Sequence, residues 1–498
     1  MTSMLSASVF DDLQPAPVWG HFATLCAIPR PSKGEERLRQ HLRTWAEARG
    51  LTTVVDSVGN LIVRKPASPG LESVPGVVLQ AHLDMVCQAN DDTPHDFSRD
   101  PIVPVLRDGW LVAEGTTLGA DNGIGVALIL AALEDRDLVH GPLEALFTID
   151  EESGMGGARG LDPEVLRGRR MLNLDTEEWG RFYLGCAGGV DVNVKRAGNP
   201  QALPDGFVGV RIDVRGLRGG HSGANIHEGR GNAIKLLVRT LRDLERRGSL
   251  RLCSLRGGTA RNALPREASA VVALPDKEAA ELGAVLSALQ ATFRAELVGV
   301  DENVTVSCSP CAIANAMADT EQAFWLASLH AAPHGVRRMS VRVPDVVETS
   351  NNLGVVDLSP EAGACNFMVR SLVDSAGLEL ANEIVSLFAL SGTVAEQSSH
   401  YPGWAPNPGS PLLALCQSVY RTAFGSESTT MVIHAGLECG IIGGKYPTMD
   451  MVAFGPTIRG AHAPGESVEV ESVGRCWTLL RALLSECATA NQPESVSR

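Results

Sequence analysis

The stretch VVLQAHLDMV, residues 77–86, begins as an apolar run and ends in polar residues. Side chains alternate between the two faces of a β-strand, so His82 and Asp84 are expected on the same face. One such pair is by itself typical of a core histidine held by a neighbouring carboxylate. It becomes informative because other apolar runs of the chain also end in acidic residues or are followed by a histidine.

The chain is long and acidic. At 498 residues it exceeds what one hydrophobic core usually organises, so two or more domains are expected. The formal net charge of −15 argues against nucleic acid or an anionic membrane as a partner. No apolar run approaches the roughly 20 residues of a membrane span, and the start, MTSMLSASVFDDLQP, lacks the basic region of a signal peptide. Eleven scattered cysteines without an export signal indicate reduced thiols, and we therefore predict a cytoplasmic protein.

Hydrophobic patterning divides the chain into three stretches. Up to residue 190, short apolar runs alternate with helical patterns, and the predicted strands are TTVVDSV, NLIVRK, GVVLQAHLD, EALFTIDEE and RRMLNLD. SKGE, Ser32–Glu35, predicts a capping box at a helix start. The middle stretch repeats a plan of strands and amphipathic helices, which is typical of an α+β domain with an internal duplication. We predict an α/β fold with a discontinuous sheet domain, residues 1–190 and 396–498, and an inserted α+β lid domain, residues 191–395.

Four further stretches place acidic residues or a histidine where strands and loops end. GADNGIG puts Asp121 at a helix start, FTIDEESGMGG ends a strand in Glu151 and Glu152, LNLDTEE ends another in Asp175, and GPTIRGAHAPGE puts His462 in a loop. In open α/β sheets ligands bind at the carboxyl ends of the strands. Burying so many carboxylates without cations would be very costly, and imidazole with carboxylate is a zinc-type ligand set. These stretches therefore predict a metal site.

Seven motifs resemble, in order and spacing, those of the aminoacyl-histidine dipeptidases (Xaa-His dipeptidases of the peptidase D type). They are LQAHLDMV, GTTLGADNGIGVA, FTIDEESGM, LNLDTEE, GGHSG, RNALPRE and VIHAGLECG. That family lies in the two-zinc superfamily that includes carnosinase, aminoacylase and glutamate carboxypeptidase. The resemblance runs nearly end to end, from AIPRPSKGEE to GPTIRGAHAPGESV. It implies the superfamily's fold, a zinc-peptidase sheet domain that carries an inserted lid domain.

The resemblance implies a ligand set for two divalent metal ions. His82 and Asp175 would hold one ion, Glu152 and His462 the other, and Asp121 would bridge them. Zinc is the ion that the resemblance implies first. The same ligands also accept cobalt or manganese, so the sequence leaves the native metal open.

The resemblance also implies catalytic and substrate-binding roles. Asp84 would orient the ring of His82 through its other nitrogen, and Glu151 would be the general base that takes a proton from water. The residues implied in substrate binding are His221, Asn262, Arg370 and Glu438. Of these, Arg370 would grip the C-terminal carboxylate of the substrate, a task suited to a guanidinium group.

The expected activity is metal-dependent hydrolysis of a small dipeptide, above all Xaa-His dipeptides such as β-alanyl-His, by attack of a metal-activated water. The resemblance also implies a homodimer through the lid domain, whose histidine acts on the neighbouring subunit's site in many relatives; the large insert leaves the same role within one chain open. A broader dipeptidase, such as a Cys-Gly enzyme, or an amidohydrolase on the same metal site stays open. A serine hydrolase at GHSGA, Gly220–Ala224, is disfavoured because the motif lacks its last glycine. A non-catalytic relative is disfavoured because every implied ligand and Glu151 are present.

Overall fold

A computed structural model describes residues 9–90 and 92–489, so the ends of the predicted sheet domain, 1–8 and 490–498, lie outside the described residues. The chain forms two compact units. Unit 1 consists of the described residues up to Gly185, of Asn407–Val432 and of the described residues from Leu437, and unit 2 consists of Cys186–Pro406 and Ile433–Gly436. No helix among the described residues has both the length and the apolar character needed to cross a membrane.

The helices and strands follow one another along both units. The helices are α1 (Ala16–Ala27), α2 (Glu36–Glu47), α3 (Ala120–Glu134), α4 (Glu151–Gly154), α5 (Gly156–Gly160), α6 (Ala233–Arg247), α7 (Asp276–Glu296), α8 (Asp319–Ala331), α9 (Asp374–Ala389), α10 (Pro411–Phe424), α11 (Glu438–Lys445) and α12 (Val470–Thr489). The strands are β1 (Thr52–Val55), β2 (Leu61–Lys65), β3 (Val77–His82), β4 (Pro104–Arg107), β5 (Trp110–Ala113), β6 (Leu143–Thr148), β7 (Arg170–Asn173), β8 (Arg181–Cys186), β9 (Gly188–Ala197), β10 (Pro200–Ala202), β11 (Phe207–Arg215), β12 (Gly220–His221), β13 (Arg251–Gly257), β14 (Ala263–Leu264), β15 (Ala268–Pro275), β16 (Thr305–Pro310), β17 (Asn315–Met317), β18 (Gly335–Met339), β19 (Val347–Leu358), β20 (Ala362–Ser371), β21 (Ala395–Tyr401), β22 (Thr429–Ile433), β23 (Asp450–Ala453), β24 (Ile458–Arg459) and β25 (Ser467–Glu469).

The main sheet of unit 1 has the strand order β1-β2-β6-β3-β7-β23-β8-β22. Strands β6, β3, β7 and β23 run parallel to their neighbours in this group, and β1 and β2 add an antiparallel edge. Every residue of β3 is buried, as the continuous apolar run before His82 predicts for a central parallel strand. The α/β fold predicted from the sequence is confirmed.

A second, four-stranded sheet of unit 1 has the order β24-β25-β5-β4, and the sequence patterns do not predict it. Its strands are two to four residues long, too short to show an alternation of polar and apolar residues. Strands β24 and β25 pair antiparallel and flank the loop formed by residues 460–466. The small sheet therefore carries the segment that contains His462.

Unit 2 is an α+β unit built on a sheet of order β16-β11-β15-β13-β19-β20-β9-β21, in which β18 also pairs with β19. Side chains from α6, α7, α8 and α9 form one buried core with the strands. Strand β21 belongs to this sheet through β9, and the amide of Ala187 donates to the carbonyls of Ile433 and Ala435. Unit 2 thus differs from the predicted boundaries at 190 and 395 at both ends. The internal duplication stays a prediction.

The predicted capping box at Ser32–Glu35 is wrong. The side chain of Glu35 is buried and accepts hydrogen bonds from the amides of Lys33 (2.9 Å) and Asp150 (2.8 Å). The hydroxyl of Ser32 donates to the Asp84 carboxylate at 2.7 Å, so neither residue caps α2 through its side chain. Ser32 and Glu35 therefore form hydrogen bonds with residues distant in the sequence instead of with the start of α2, as the local pattern had predicted.

Candidate metal centre

Three parallel strands bring predicted site residues to one edge of the main sheet. Strand β3 ends at His82, which lies opposite Thr148 at the end of β6. Glu151 and Glu152 follow β6, and Asp175 follows β7. Because the carboxyl ends of neighbouring parallel strands meet at the same edge, these side chains gather although they are far apart in the sequence.

Two further residues reach this edge from outside the strands. Asp121 lies in the first turn of α3, where its backbone is not yet helical, and the Asp121–Asn122 peptide bond is cis. His462 lies in the loop between β24 and β25 with a φ of 68°. The helix start and the small sheet therefore each add one side chain to those of the three strands.

The five predicted metal ligands converge. The Nε2 atom of His82 lies 3.2 Å from Oδ1 of Asp121 and 3.4 Å from Oδ1 of Asp175. The Nε2 atom of His462 lies 3.4 Å from Oδ2 of Asp121 and 3.1 Å from Oε2 of Glu152. Asp121 thus points one carboxylate oxygen toward each imidazole. It connects the pair His82 and Asp175 with the pair His462 and Glu152.

The chemistry of this donor set fits divalent metal ions. His82, Asp121 and Glu152 offer ligand atoms that all lie within 4.8 Å of one another. The second oxygen of Glu152, Oε1, is buried and has no hydrogen-bond partner. A buried carboxylate oxygen without a partner is costly, and a cation relieves that cost. Imidazole nitrogen with several carboxylate oxygens is a ligand combination that zinc and similar ions accept.

Neighbouring carboxylates raise the pKa values of both imidazoles. Burial lowers the pKa of His82, but the carboxylates of Asp175, Asp121 and Asp84 raise it well above its usual value. Hydrogen bonds with Asp121 and Glu152 raise the pKa of His462 to about 11. A metal-ligating imidazole must be neutral, so metal binding here would release protons.

Asp84 has more partners than the sequence predicts. Its carboxylate lies 3.4 Å from Nδ1 of His82, and its backbone carbonyl oxygen lies 3.2 Å from the same atom. It also accepts hydrogen bonds from the amides of Glu151 (3.0 Å) and Glu152 (3.1 Å) and from the hydroxyl of Ser32. Burial raises its pKa, yet the hydrogen bond and charge of His82 bring the pKa below its usual value. One carboxylate therefore holds both the His82 ring and the start of α4.

Glu151, the predicted general base, lies next to Glu152 in the first turn of α4. Burial raises its pKa well above the usual value; the charge of His82 lowers it, and the charges of Asp175, Glu152 and Glu438 raise it. A carboxylate with a raised pKa is a stronger proton acceptor, which suits general-base chemistry near neutral pH.

Glu438 is fully buried at the start of α11, a helix that the sequence patterns do not predict. Its Oε2 atom accepts hydrogen bonds from Nε2 of Gln80 (2.6 Å) and from the hydroxyl of Thr148 (2.5 Å), and Oε1 has no partner. Burial raises its pKa to about 8. Glu438 therefore contacts strand residues that precede His82 and Glu151, and its role in substrate binding stays a prediction.

The other three predicted substrate-binding residues lie in unit 2. The buried guanidinium of Arg370 donates to the hydroxyl of Tyr401 at 2.9 Å, and it lies 3.4 Å from both the Ser222 hydroxyl and Nε2 of His221. The carbonyl of Asn262 accepts a hydrogen bond from the amide of Ser222 at 2.8 Å. The three residues are thus connected through the loop that follows β12.

Arg30 and Ser32 belong to the centre, although the sequence patterns assign no role to Arg30 and place Ser32 only in a capping box. The buried guanidinium of Arg30 donates to the carbonyls of Leu83 (3.0 Å), Asp84 (2.9 Å) and Gly119 (2.5 Å). It thereby connects the end of β3 to the loop before α3. The available signal was their position in AIPRPSKGEE, the stretch at which the family resemblance begins.

Comparison with known proteins identifies the family. The model of Peptidase family M20/M25/M40 matches residues 78–486. The chain is 44% identical over 481 residues, 96% of its length, to the cytosol non-specific dipeptidase of Escherichia coli (strain K12), of which it covers 99%. It matches the crystal structure of aminoacylhistidine dipeptidase from Vibrio alginolyticus with a TM-score of 0.86 and 44% identity, covering 95% of this chain and 97% of that one. The aminopeptidase PepT structure from Bacillus cereus ATCC 10987, at 16% identity and a TM-score of 0.56 over 96% and 99% of the two chains, shares the fold. The chain belongs to Peptidase family M20/M25/M40 and is a hydrolase of peptide bonds.

Proposed function

We propose that this protein is a cytoplasmic, metal-dependent dipeptidase with a preference for Xaa-His dipeptides such as β-alanyl-His. The observation that carries the proposal is the convergence of His82, Asp121, Glu152, Asp175 and His462, with Glu151 beside them. The relatives that cover nearly the whole chain are named as a cytosol non-specific dipeptidase and an aminoacylhistidine dipeptidase, which supports the substrate class and the compartment.

The proposed cofactors are two divalent metal ions, zinc in the first place. His82 and Asp175 would hold one ion, Glu152 and His462 the other, and Asp121 would contribute to both. This assignment is supported by the two oxygens of Asp121, each of which lies near a different imidazole. When bound, such ions supply Lewis acidity toward the substrate carbonyl and acidify water.

The proposed catalytic steps use this chain's own carboxylates. Glu151 accepts a proton from the water that attacks the peptide carbonyl, holds it on its carboxylate, and returns it to the leaving amine. Asp84 keeps the amides of Glu151 and Glu152 in place through its two hydrogen bonds. The base therefore starts from a fixed position beside the ligand Glu152.

Arg370 is proposed to bind the C-terminal carboxylate of the dipeptide. The guanidinium is buried, and its hydrogen bonds go to hydroxyl groups and an imidazole; none of the ion pairs between described residues includes it. The charge of Arg370 acts on the pKa of Asp191, but Asp191 forms its ion pair with Arg261 at 2.6 Å, so a bound carboxylate would give Arg370 a direct charge-assisted pair. His221 and Asn262 are proposed to steady the oxyanion and the carboxylate from the same unit.

A broader dipeptidase is the second candidate, because the relative from Escherichia coli is named non-specific. The test is one panel of substrates on one zinc-loaded sample whose metal content is measured: β-alanyl-His, Gly-His, Cys-Gly, a tripeptide, a C-terminally amidated dipeptide and an N-acetyl amino acid. Higher kcat/KM for the two histidine dipeptides supports the Xaa-His preference, and equal rates for Cys-Gly favour the broader enzyme. Cleavage of the N-acetyl amino acid alone would replace the dipeptidase by an amidohydrolase.

We further propose a homodimer formed through the lid domain, as the family resemblance implies. Light scattering on the zinc-loaded protein should give twice the mass of one chain. A monomer at all concentrations of the full chain would contradict the proposal.

A further inference from the structure

Glu466 is a buried carboxylate that accepts three backbone hydrogen bonds from one short segment. It follows His462 by four residues, and 2% of its surface is exposed. One oxygen, Oε2, accepts from the amides of Leu118 (2.7 Å) and Gly119 (2.8 Å). The other, Oε1, accepts from the amide of Asp121 at 3.1 Å. The anion therefore satisfies amide groups at the start of α3, which have no partners within the helix.

The segment before α3 is held from its carbonyl side as well. Gly119 has a φ of 69°, and its carbonyl accepts the hydrogen bond from Arg30. A Cβ at this position would lie 2.8 Å from the sulfur of Met85, so the backbone passes close to its neighbours. A buried anion thus binds the amides of this segment while a buried cation binds its carbonyl. Such an arrangement leaves Asp121 little freedom to move.

The same carboxylate connects the two segments that supply Asp121 and His462. The backbone of Glu466 accepts a hydrogen bond from the amide of Ala113 (3.1 Å), and the amide of Gly465 donates to the carbonyl of Thr116 (3.0 Å). The loop that carries His462 is therefore joined to the segment before Asp121 through both its backbone and the Glu466 side chain.

We propose that Glu466 is a positioning residue that fixes Asp121 and His462 relative to each other before any metal ion binds. The inference rests on the proposed metal-dependent function, because it assigns Glu466 a role toward the same ligands. Both oxygens of its carboxylate are needed as acceptors, since an amide nitrogen at either position could not accept the hydrogen bonds made there. Asp121 faces both imidazoles, so displacing it weakens the binding of both ions.

The test is Glu466→Gln with Glu144→Gln as the matched control. Glu144 is also buried, with 4% of its surface exposed, and lies at the end of β6 that is distant from His82. It accepts hydrogen bonds from the amides of Arg167 (2.7 Å) and Gly168 (2.8 Å) and pairs with Arg64 at 2.9 Å. Zinc affinity is measured by competition with a chromophoric chelator. Glu466→Gln should bind zinc about 10–100-fold more weakly than the parent, the range expected when a residue that supports a ligand is lost. Glu144→Gln should bind zinc as the parent does.

Two results of this comparison would overturn the inference: parental zinc affinity in Glu466→Gln, or an equal loss in Glu144→Gln. A parent that neither binds zinc nor cleaves dipeptides would instead overturn the proposed function, and the inference with it. If the parent binds zinc and Glu466→Gln binds it with the same affinity, the inference fails while the proposed function stands.

Hydrogen exchange on the metal-free parent tests the same point without a variant that has to fold. If Glu466 fixes the segment before metal binds, the amides of Leu118, Gly119 and Asp121 exchange slowly in metal-free protein, and adding zinc slows them little further. Rapid exchange of these amides without zinc, followed by strong protection with zinc, would show that the metal orders the segment and would overturn the inference.

Discussion

Asp84 contacts three parts of the centre: the ring of His82, the amides of Glu151 and Glu152, and the hydroxyl of Ser32. The orientation of His82, a proposed metal ligand, and the position of the proposed base therefore depend on the same two oxygens. Residues that hold ligands in this way usually affect metal binding as well as turnover.

Asp84→Asn should therefore weaken zinc binding about 10–100-fold, because the amide nitrogen cannot accept the hydrogen bonds that one carboxylate oxygen now receives. The matched control is Asp56→Asn. Asp56 also accepts several hydrogen bonds in a loop, from the amides of Val58, Gly59 and Asn60, but in the β1–β2 connection. Chelator competition on both variants checks the prediction, which fails if the two variants bind zinc equally.

Glu151→Gln should keep both metal ions and lose most of its turnover. An amide cannot take the proton from water, and removal of a general base typically costs about 10²–10⁴-fold in rate. The measurement is kcat for a dipeptide alongside metal content on the same sample. Turnover within a factor of a few of the parent would contradict the assigned base, whereas loss of metal would show that Glu151 also serves as a ligand.

The sequence predicts a site residue only when a local pattern determines its position. His82, Glu152 and Asp175 follow apolar strands, so a local pattern places them at one edge of the sheet. Arg30 and Glu466 bind backbone groups of segments distant in the sequence, and no local pattern indicates such a partner.

At the scale of elements, long strands and helices follow their patterns and short ones do not. Helices α6, α7, α8 and α9 lie in the middle stretch, where the sequence pattern predicts amphipathic helices. Helix α11 and the four-stranded sheet are too short for periodicity to detect. The site depends on both kinds of element, since the small sheet carries His462.

The loop after β12 gives a prediction at this scale. A Cβ on Gly223 would overlap the carbonyl oxygen of His434 and lie 3.1 Å from Cδ of Arg370. Gly223→Ala should therefore shift the loop that carries His221 and Ser222, and misplacement of about 1 Å can cost about 10²-fold in kcat/KM. Zinc content should not change, because the proposed ligands lie in unit 1.

The matched control for this substitution is Gly283→Ala in α7. No neighbouring atom lies within 4 Å of the position that a Cβ on Gly283 would take. In a helix interior, alanine should stabilise the protein by up to about 1 kcal/mol without affecting kcat/KM. Equal kcat/KM values for the two variants would show that the loop after β12 does not position substrate-binding groups.

For the whole molecule, the dominant feature of unit 1 is a buried group of carboxylates with only two imidazoles among them. Removing metal with a chelator should abolish hydrolysis and lower the thermal midpoint. A ligand that binds only the folded state at 100 times its Kd stabilises that state by about 2.7 kcal/mol. Calorimetry and assays before and after zinc is restored check this; an unchanged midpoint with lost activity would mean that metal contributes nothing to stability.

The position of β23 in the main sheet has a consequence for biosynthesis. This strand lies between β7 and β8, yet it is formed by residues 450–453, long after its neighbours have left the ribosome. A nascent chain that already contains His82, Glu152 and Asp175 still lacks an interior strand of their sheet and the loop with His462. Domains fold as units during translation, and this unit is complete only when its last segment is made. We therefore expect peptidase activity to appear only after β23 and the loop with His462 have left the ribosome.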